Sequence, residues 1–158
     1  MIQVVTIGLS AFLLFLLQPM ISKIILPDFG GGSSIWLTSL IFYQLLLLGG
    51  YSFSHFVVMK LRPVRQAVVY TAIIVLSLLF IPVHIHLRQA ELTPMIHIFA
   101  LLLASIGLPY FLLSTTSPMV QYWIASEKKT RNPYVLYAVS NAGSLAGLLT
   151  YPTLIETN

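Results

Sequence analysis

Apolar runs long enough to cross a bilayer recur along this chain, from Ile2 to Leu26, Ile35 to Met59, Gln66 to Pro82, Met95 to Ala125 and Pro133 to Leu154. In lipid a run of about twenty such residues satisfies its backbone only as a helix, and that length spans the hydrocarbon core. The pattern therefore predicts an all-α integral membrane protein, a bundle of five transmembrane helices forming one domain over residues 1–158. A β-barrel is disfavoured, because barrel strands alternate apolar and polar side chains and these runs do not. Composition agrees: 58% of residues are hydrophobic and 8% charged, whereas soluble domains are about a quarter charged. The mean hydropathy is +0.92.

The boundaries between runs carry ordinary stop and start signals. Nothing charged precedes the first core and no small-residue cleavage site ends it, so it reads as a retained span and not a signal peptide. Pro27, Asp28 and Gly30 to Ser34 predict a tight loop. Trp36 then stands at interface depth. Lys60 to Arg65 predicts a second loop. Pro94 and Pro133 sit where a missing N–H does no harm, at helix starts, with Asn132 as an N-cap. Lys60, Arg62 and Arg65 share one side of the membrane with Lys128, Lys129 and Arg131. Arg88 lies on the other, and Lys23 reaches the headgroups from a span end. That asymmetry predicts a cytoplasmic N-terminus and an outer C-terminus. It also accounts for the net charge of +4 without a nucleic-acid partner. No cysteine is present, which excludes disulfides, thiol catalysis and cysteine metal sites.

Polar and small residues gather late in the chain. Gly107-Leu-Pro109 and Ser114-Thr-Thr-Ser-Pro118 predict a fourth span kinked near 109–118, either with hydroxyls relieving the bends at Pro109 and Pro118 or with an unwound stretch open to a substrate. Tyr137, Asn141 and Ser144 fall on one helical face. With Gln18, Gln44, Ser114, Thr115 and Thr116 they form a candidate polar cavity, or else a set of interhelical hydrogen bonds. Gly143 and Gly147, with Ala142 and Ala146, form a small-residue helix-packing face, whose partner helix belongs to this chain or another. His84, His86 and His97 lie at span ends and read as interfacial rather than as a metal site. No carboxylate lies deep in a span, which argues against cation-coupled transport by this chain alone. No nucleophile–base pair and no glycine-rich cofactor loop is present, so neither enzyme activity nor a cofactor is expected.

Several blocks resemble a known family. Leu17-Gln18-Pro19-Met20-Ile21-Ser22-Lys23, then Leu26-Pro27-Asp28-Phe29-Gly30-Gly31, is similar to the start of the bacterial membrane module fused to spermidine-synthase-like domains. Ile35-Trp36-Leu37-Thr38, Phe42-Tyr43-Gln44 and Gly50-Tyr51-Ser52-Phe53-Ser54-His55 continue the similarity. So do Gly107 to Phe111, Leu113 to Pro118, Gln121-Tyr122-Trp123, Asn132-Pro133-Tyr134, Leu136 to Ser144, Tyr151-Pro152 and Glu156. The resemblance implies the amino-terminal half of a major-facilitator transporter in a bacterial inner membrane. It also implies an aminopropyltransferase-like or other membrane partner, or a homo-oligomer. Two departures stand out: the chain has no aminopropyltransferase region, and it shows five spans where a transporter half has six. After Gly50 it also lacks the acidic residue of a transporter gating loop. The expected role is a non-enzymatic membrane module that anchors or assembles with a partner and passes it a small substrate. The alternatives are half of a small-molecule transporter completed by dimerisation, and a purely structural subunit.

Overall fold

The computed structural model describes residues 2–30, 32–79, 93–126 and 133–155. Six α-helices run through them: α1 (Ile2–Ile25), α2 (Ser33–Lys60), α3 (Pro63–Leu78), α4 (Pro94–Leu102), α5 (Leu108–Ser126) and α6 (Pro133–Thr150). A π-helical turn, Leu103–Gly107, joins α4 to α5, so Pro94–Ser126 is one rod of 33 residues. A second π turn, Tyr151–Ile155, extends α6. The architecture is thus five helical rods, and among the described residues there is no strand.

Three rods, α1, α2 and Pro94–Ser126, are long and apolar enough to cross a membrane. The described part of α3 is apolar but 16 residues long. In α6 the length of 18 residues is present, but Ser140, Asn141, Ser144, Gly143 and Gly147 dilute its apolar character. Proline opens α3 and α4, as expected of a residue that needs no helical N–H partner. Arg62 stays extended and Pro63 already belongs to α3, so the expected Lys60–Arg65 loop shrinks to Leu61 and Arg62. Between α1 and α2 a 3-10 turn, Leu26–Phe29, ends at Gly30, whose φ of 88° lies where only glycine sits without strain. Asn132, His84, His86 and Arg88 fall outside the described residues.

α1 is central. It packs most extensively against α6 and next against α5, while α2 packs against α5 and α4, and α3 chiefly against α5. The α1–α6 pair runs parallel: Gly143 meets the backbone of Gly8, and Gly147 that of Phe12 and Leu16. A Cβ on either glycine would overlap a carbonyl oxygen of α1. These two glycines therefore let the backbones touch, which is how helices associate where lipid removes the hydrophobic drive. The small-residue face is satisfied within this chain. Ala142 and Ala146 are turned outward and exposed.

Two apolar clusters fill the ends of the bundle, one around Ile25, Phe42, Leu102 and Ile106, the other of Ile7, Val120, Ile124 and Leu136. Phe29 and His97 close the first end edge to face at 5.1 Å. The outer surface is studded with large apolar side chains, among them Leu48, Val64 and Val68. A soluble domain seldom exposes contiguous patches of this kind; a lipid-facing one must.

The fourth rod differs from its expected form. Ser114 to Pro118 is continuous α-helix, and the irregularity lies two to three turns earlier, at Leu103–Gly107. Proline's ring presses on the carbonyl four residues back, which for Pro109 is that of Ser105. That carbonyl lies inside the π turn, whose wider ladder accommodates the intrusion. The hydroxyls below it return to their own helix: Ser114 Oγ donates to Phe111 O at 2.7 Å, and Thr115 and Thr116 donate to Leu112 O at 2.8 and 2.7 Å.

Candidate functional site

The polar residues of the bundle form seams. Where α2 crosses α5, a Cβ on Gly50 would overlap the side chain of Ser114. One turn on, Ser54 Oγ reaches both Gly50 O at 2.9 Å and Thr115 O at 3.3 Å, tying the two backbones together. Between α5 and α6, the hydroxyls of Ser117 and Ser140 lie 3.3 Å apart, and Gln121 Nε2 donates to Ser117 Oγ at 2.9 Å.

A second layer lies where α1, α2 and α5 converge. Gln18 Nε2 donates to Tyr110 OH at 2.6 Å, and the ring of Tyr110 sits 5.1 Å from that of Tyr43. Both tyrosines are wholly buried. The Tyr43 hydroxyl stands towards Ser22 but makes no hydrogen bond of good geometry.

A third cluster pins α3. Gln66 is 1% exposed and serves three elements at once. Its Nε2 donates to Leu61 O at 2.9 Å and reaches Val58 O at 3.4 Å, while its Oε1 accepts from Trp123 Nε1 at 2.9 Å. One turn along α3, Tyr70 OH donates to Thr116 Oγ1 at 2.7 Å, with its ring edge-on to Trp123 at 5.6 Å.

The eight residues expected to share a cavity do not come together. Gln18, Ser114, Thr115 and Thr116 are buried, each hydrogen-bonded within the chain. Ser144 is half-buried and donates to Ser140 O at 3.0 Å. Gln44, Tyr137 and Asn141 are exposed on the outside of the bundle. The glycines explain α6: successive residues turn by about 100°, so Asn141, two positions before Gly143, points nearly opposite to it. With Gly143 against α1, Asn141 must face out. It has no hydrogen-bond partner among the described residues, and neither has Gln44.

A groove of about 370 Å³ opens between α1 and α5, apolar along Leu9, Leu13 and Leu112 with the hydroxyls of Thr6, Ser10 and Thr116 on its walls. Among the described residues no three histidine or carboxylate side chains converge as a metal site. The amides and hydroxyls of these seams join helices to one another. Gln66, Tyr70, Tyr110 and Trp123 were not anticipated as polar partners. The i, i+4 spacing of Gln66 and Tyr70 marks one helical face and was the available signal. Compared with family models, with curated proteins and with solved structures, the chain matches none.

Proposed function

We propose that this chain is a non-enzymatic, five-span module of a bacterial inner membrane, with a cytoplasmic N-terminus, that assembles with a further transmembrane protein. The observation that carries the reading is Asn141. It lies eight residues into α6, about 12 Å along the axis, well inside a hydrocarbon core about 30 Å thick. It is exposed there and has no hydrogen-bond partner among the described residues. A polar side chain at that depth is costly in lipid unless another helix satisfies it. Tyr137 and the exposed Ala142 and Ala146 flank it and permit close approach. The resemblance to a half-transporter module joined to an aminopropyltransferase-like domain supports the same direction.

The test is extraction in mild detergent followed by mass spectrometry of what co-purifies. Wild type is expected with a stoichiometric companion, or as a homo-oligomer, and Asn141→Leu without it while keeping its own fold. Retention of the same companion by Asn141→Leu would sink the reading. A half-transporter completed by dimerisation is favoured by one feature, the hydroxyl-edged groove between α1 and α5. Thr116→Val changing uptake without changing assembly would move the balance to it.

A further inference from the structure

The corner between α2 and α3 carries Lys60, Arg62 and Arg65, all exposed. In the sequence no acidic residue lies between Asp28 and Glu91. The corner is also stiff. Gln66 holds the carbonyls of Val58 and Leu61 and is itself held by Trp123. Lys60 Nζ lies 5.7 Å from the centre of the Phe56 ring.

Directly below the corner the outer face of α3 alone forms a shallow, open apolar groove, from Val64 past Ala67, Thr71 and Ala72 to Leu76. Val68, Ala72 and Leu76 follow Arg65 at i+3, i+7 and i+11, one helical face. Arg65 is exposed in the first turn of α3, and helical side chains lean towards the N-terminus, which sets its charge on the headgroup side of this face. Val64 to Leu76 covers about 18 Å of helix axis, well into one side of the bilayer. Cations at one end of an apolar helix face are the complement of one kind of molecule.

We propose that this corner and groove bind an anionic phospholipid, its phosphate between Lys60, Arg62 and Arg65 and one acyl chain along α3. The inference rests on the membrane-spanning reading. Charge complementarity sets the headgroup, since each basic side chain at a membrane surface strengthens attachment of anionic lipid about fivefold. The alanines set the chain's path by leaving room between the valines.

The full chain in nanodiscs of phosphatidylcholine, with phosphatidylglycerol added in steps, tests this by lipid retention in native mass spectrometry. Retention of phosphatidylglycerol over phosphatidylcholine is expected to fall about fivefold for Arg65→Gln and about twenty-five-fold for Arg62→Gln with Arg65→Gln. Ala72→Trp, which fills the groove and leaves every charge, is expected to lose retention as well. Unchanged preference in the charge variants overturns the proposal. So does loss in the charge variants with Ala72→Trp unaffected and inorganic phosphate competing, which defines a bare anion site. Recovery of the chain from the membrane fraction is scored separately, so failure of the membrane reading is distinguishable from failure of the lipid site.

Discussion

Gly143→Ala places a methyl group against α1, where a Cβ would lie 3.1 and 3.2 Å from the carbonyl carbon and Cα of Gly8, and closer still to its oxygen. Carbon atoms rest at about 3.5–4.0 Å. The obstacle is backbone, so no side-chain rotation relieves it and α6 must move away. A gap of about 0.5–1 Å forfeits a quarter to a half of each contact's attraction along the seam, and overpacking of this kind costs about 1–3 kcal/mol. Alanine gains up to about 1 kcal/mol of helix propensity over glycine, so the expected net loss is about 1 kcal/mol. Gly147→Ala meets the carbonyl of Phe12 and, at 3.2 Å, the amide nitrogen of Leu16, and it requires the same displacement. The double variant should therefore cost clearly less than the sum of the two singles, since neighbouring sites sharing one relaxation are not additive. Reversible unfolding in mixed micelles, followed by helical circular dichroism, measures all three. Ala142→Leu and Ala146→Leu, on the exposed side, should stay within about 0.5 kcal/mol of wild type. Full additivity of the glycine pair, or a larger loss from the alanine variants, would refute a close α1–α6 contact.

Tyr110→Phe removes the hydroxyl that accepts from the Gln18 amide and should cost about 1–3 kcal/mol, whereas Tyr43→Phe deletes a buried hydroxyl with no hydrogen-bond partner among the described residues and should be neutral or stabilising; the same unfolding assay separates them, and equal losses would contradict the layer as described. Gln66→Leu frees Leu61 O and Trp123 Nε1. In a Trp36→Phe background, where Trp123 is the remaining tryptophan, its emission should shift to the red and become accessible to aqueous quencher; unchanged emission would show that the pin is not holding α3.

The helices were legible because their cause is local. Apolar runs of bilayer length admit one backbone solution, and Pro94 and Pro133 mark two of their starts, whereas Pro63, read as part of a loop, opens α3. The packing role of Gly143 and Gly147 was legible too, since four-residue spacing of glycines puts both on one face. What sequence alone withheld was rotation about the helix axis. Tyr137, Asn141 and Ser144 do share a face in part, but only the contact of Gly143 with Gly8 decides that this face looks outward. The same holds for Gln44, beside the buried Tyr43 and yet exposed. The displaced irregularity in the fourth rod follows a similar logic. Pro109 and Pro118 announce trouble in the ladder, but Ser114–Pro118 stays helical, and the π turn takes up the intrusion at the carbonyl of Ser105.

The bundle divides into a locked part and a pinned part, and the division bears on function. α1, α2, α5 and α6 meet through glycines and hydroxyls at distances where one extra methyl is felt. α3 meets them through the side chains of Gln66 and Tyr70, both in its first half. Beyond Tyr70, Val75, Leu76 and Leu78 are exposed, and the buried Ser77 donates to its own helix at Ile74 O. The cations of the α2–α3 corner therefore sit at the end of α3 that is held, while its remaining length presents apolar surface. Asn141 lies on α6, which packs on α1 and α5, away from the α3 groove. The proposed helical partner at Asn141 and the proposed lipid at Arg65 would consequently engage different flanks of the bundle, and neither would have to displace the other.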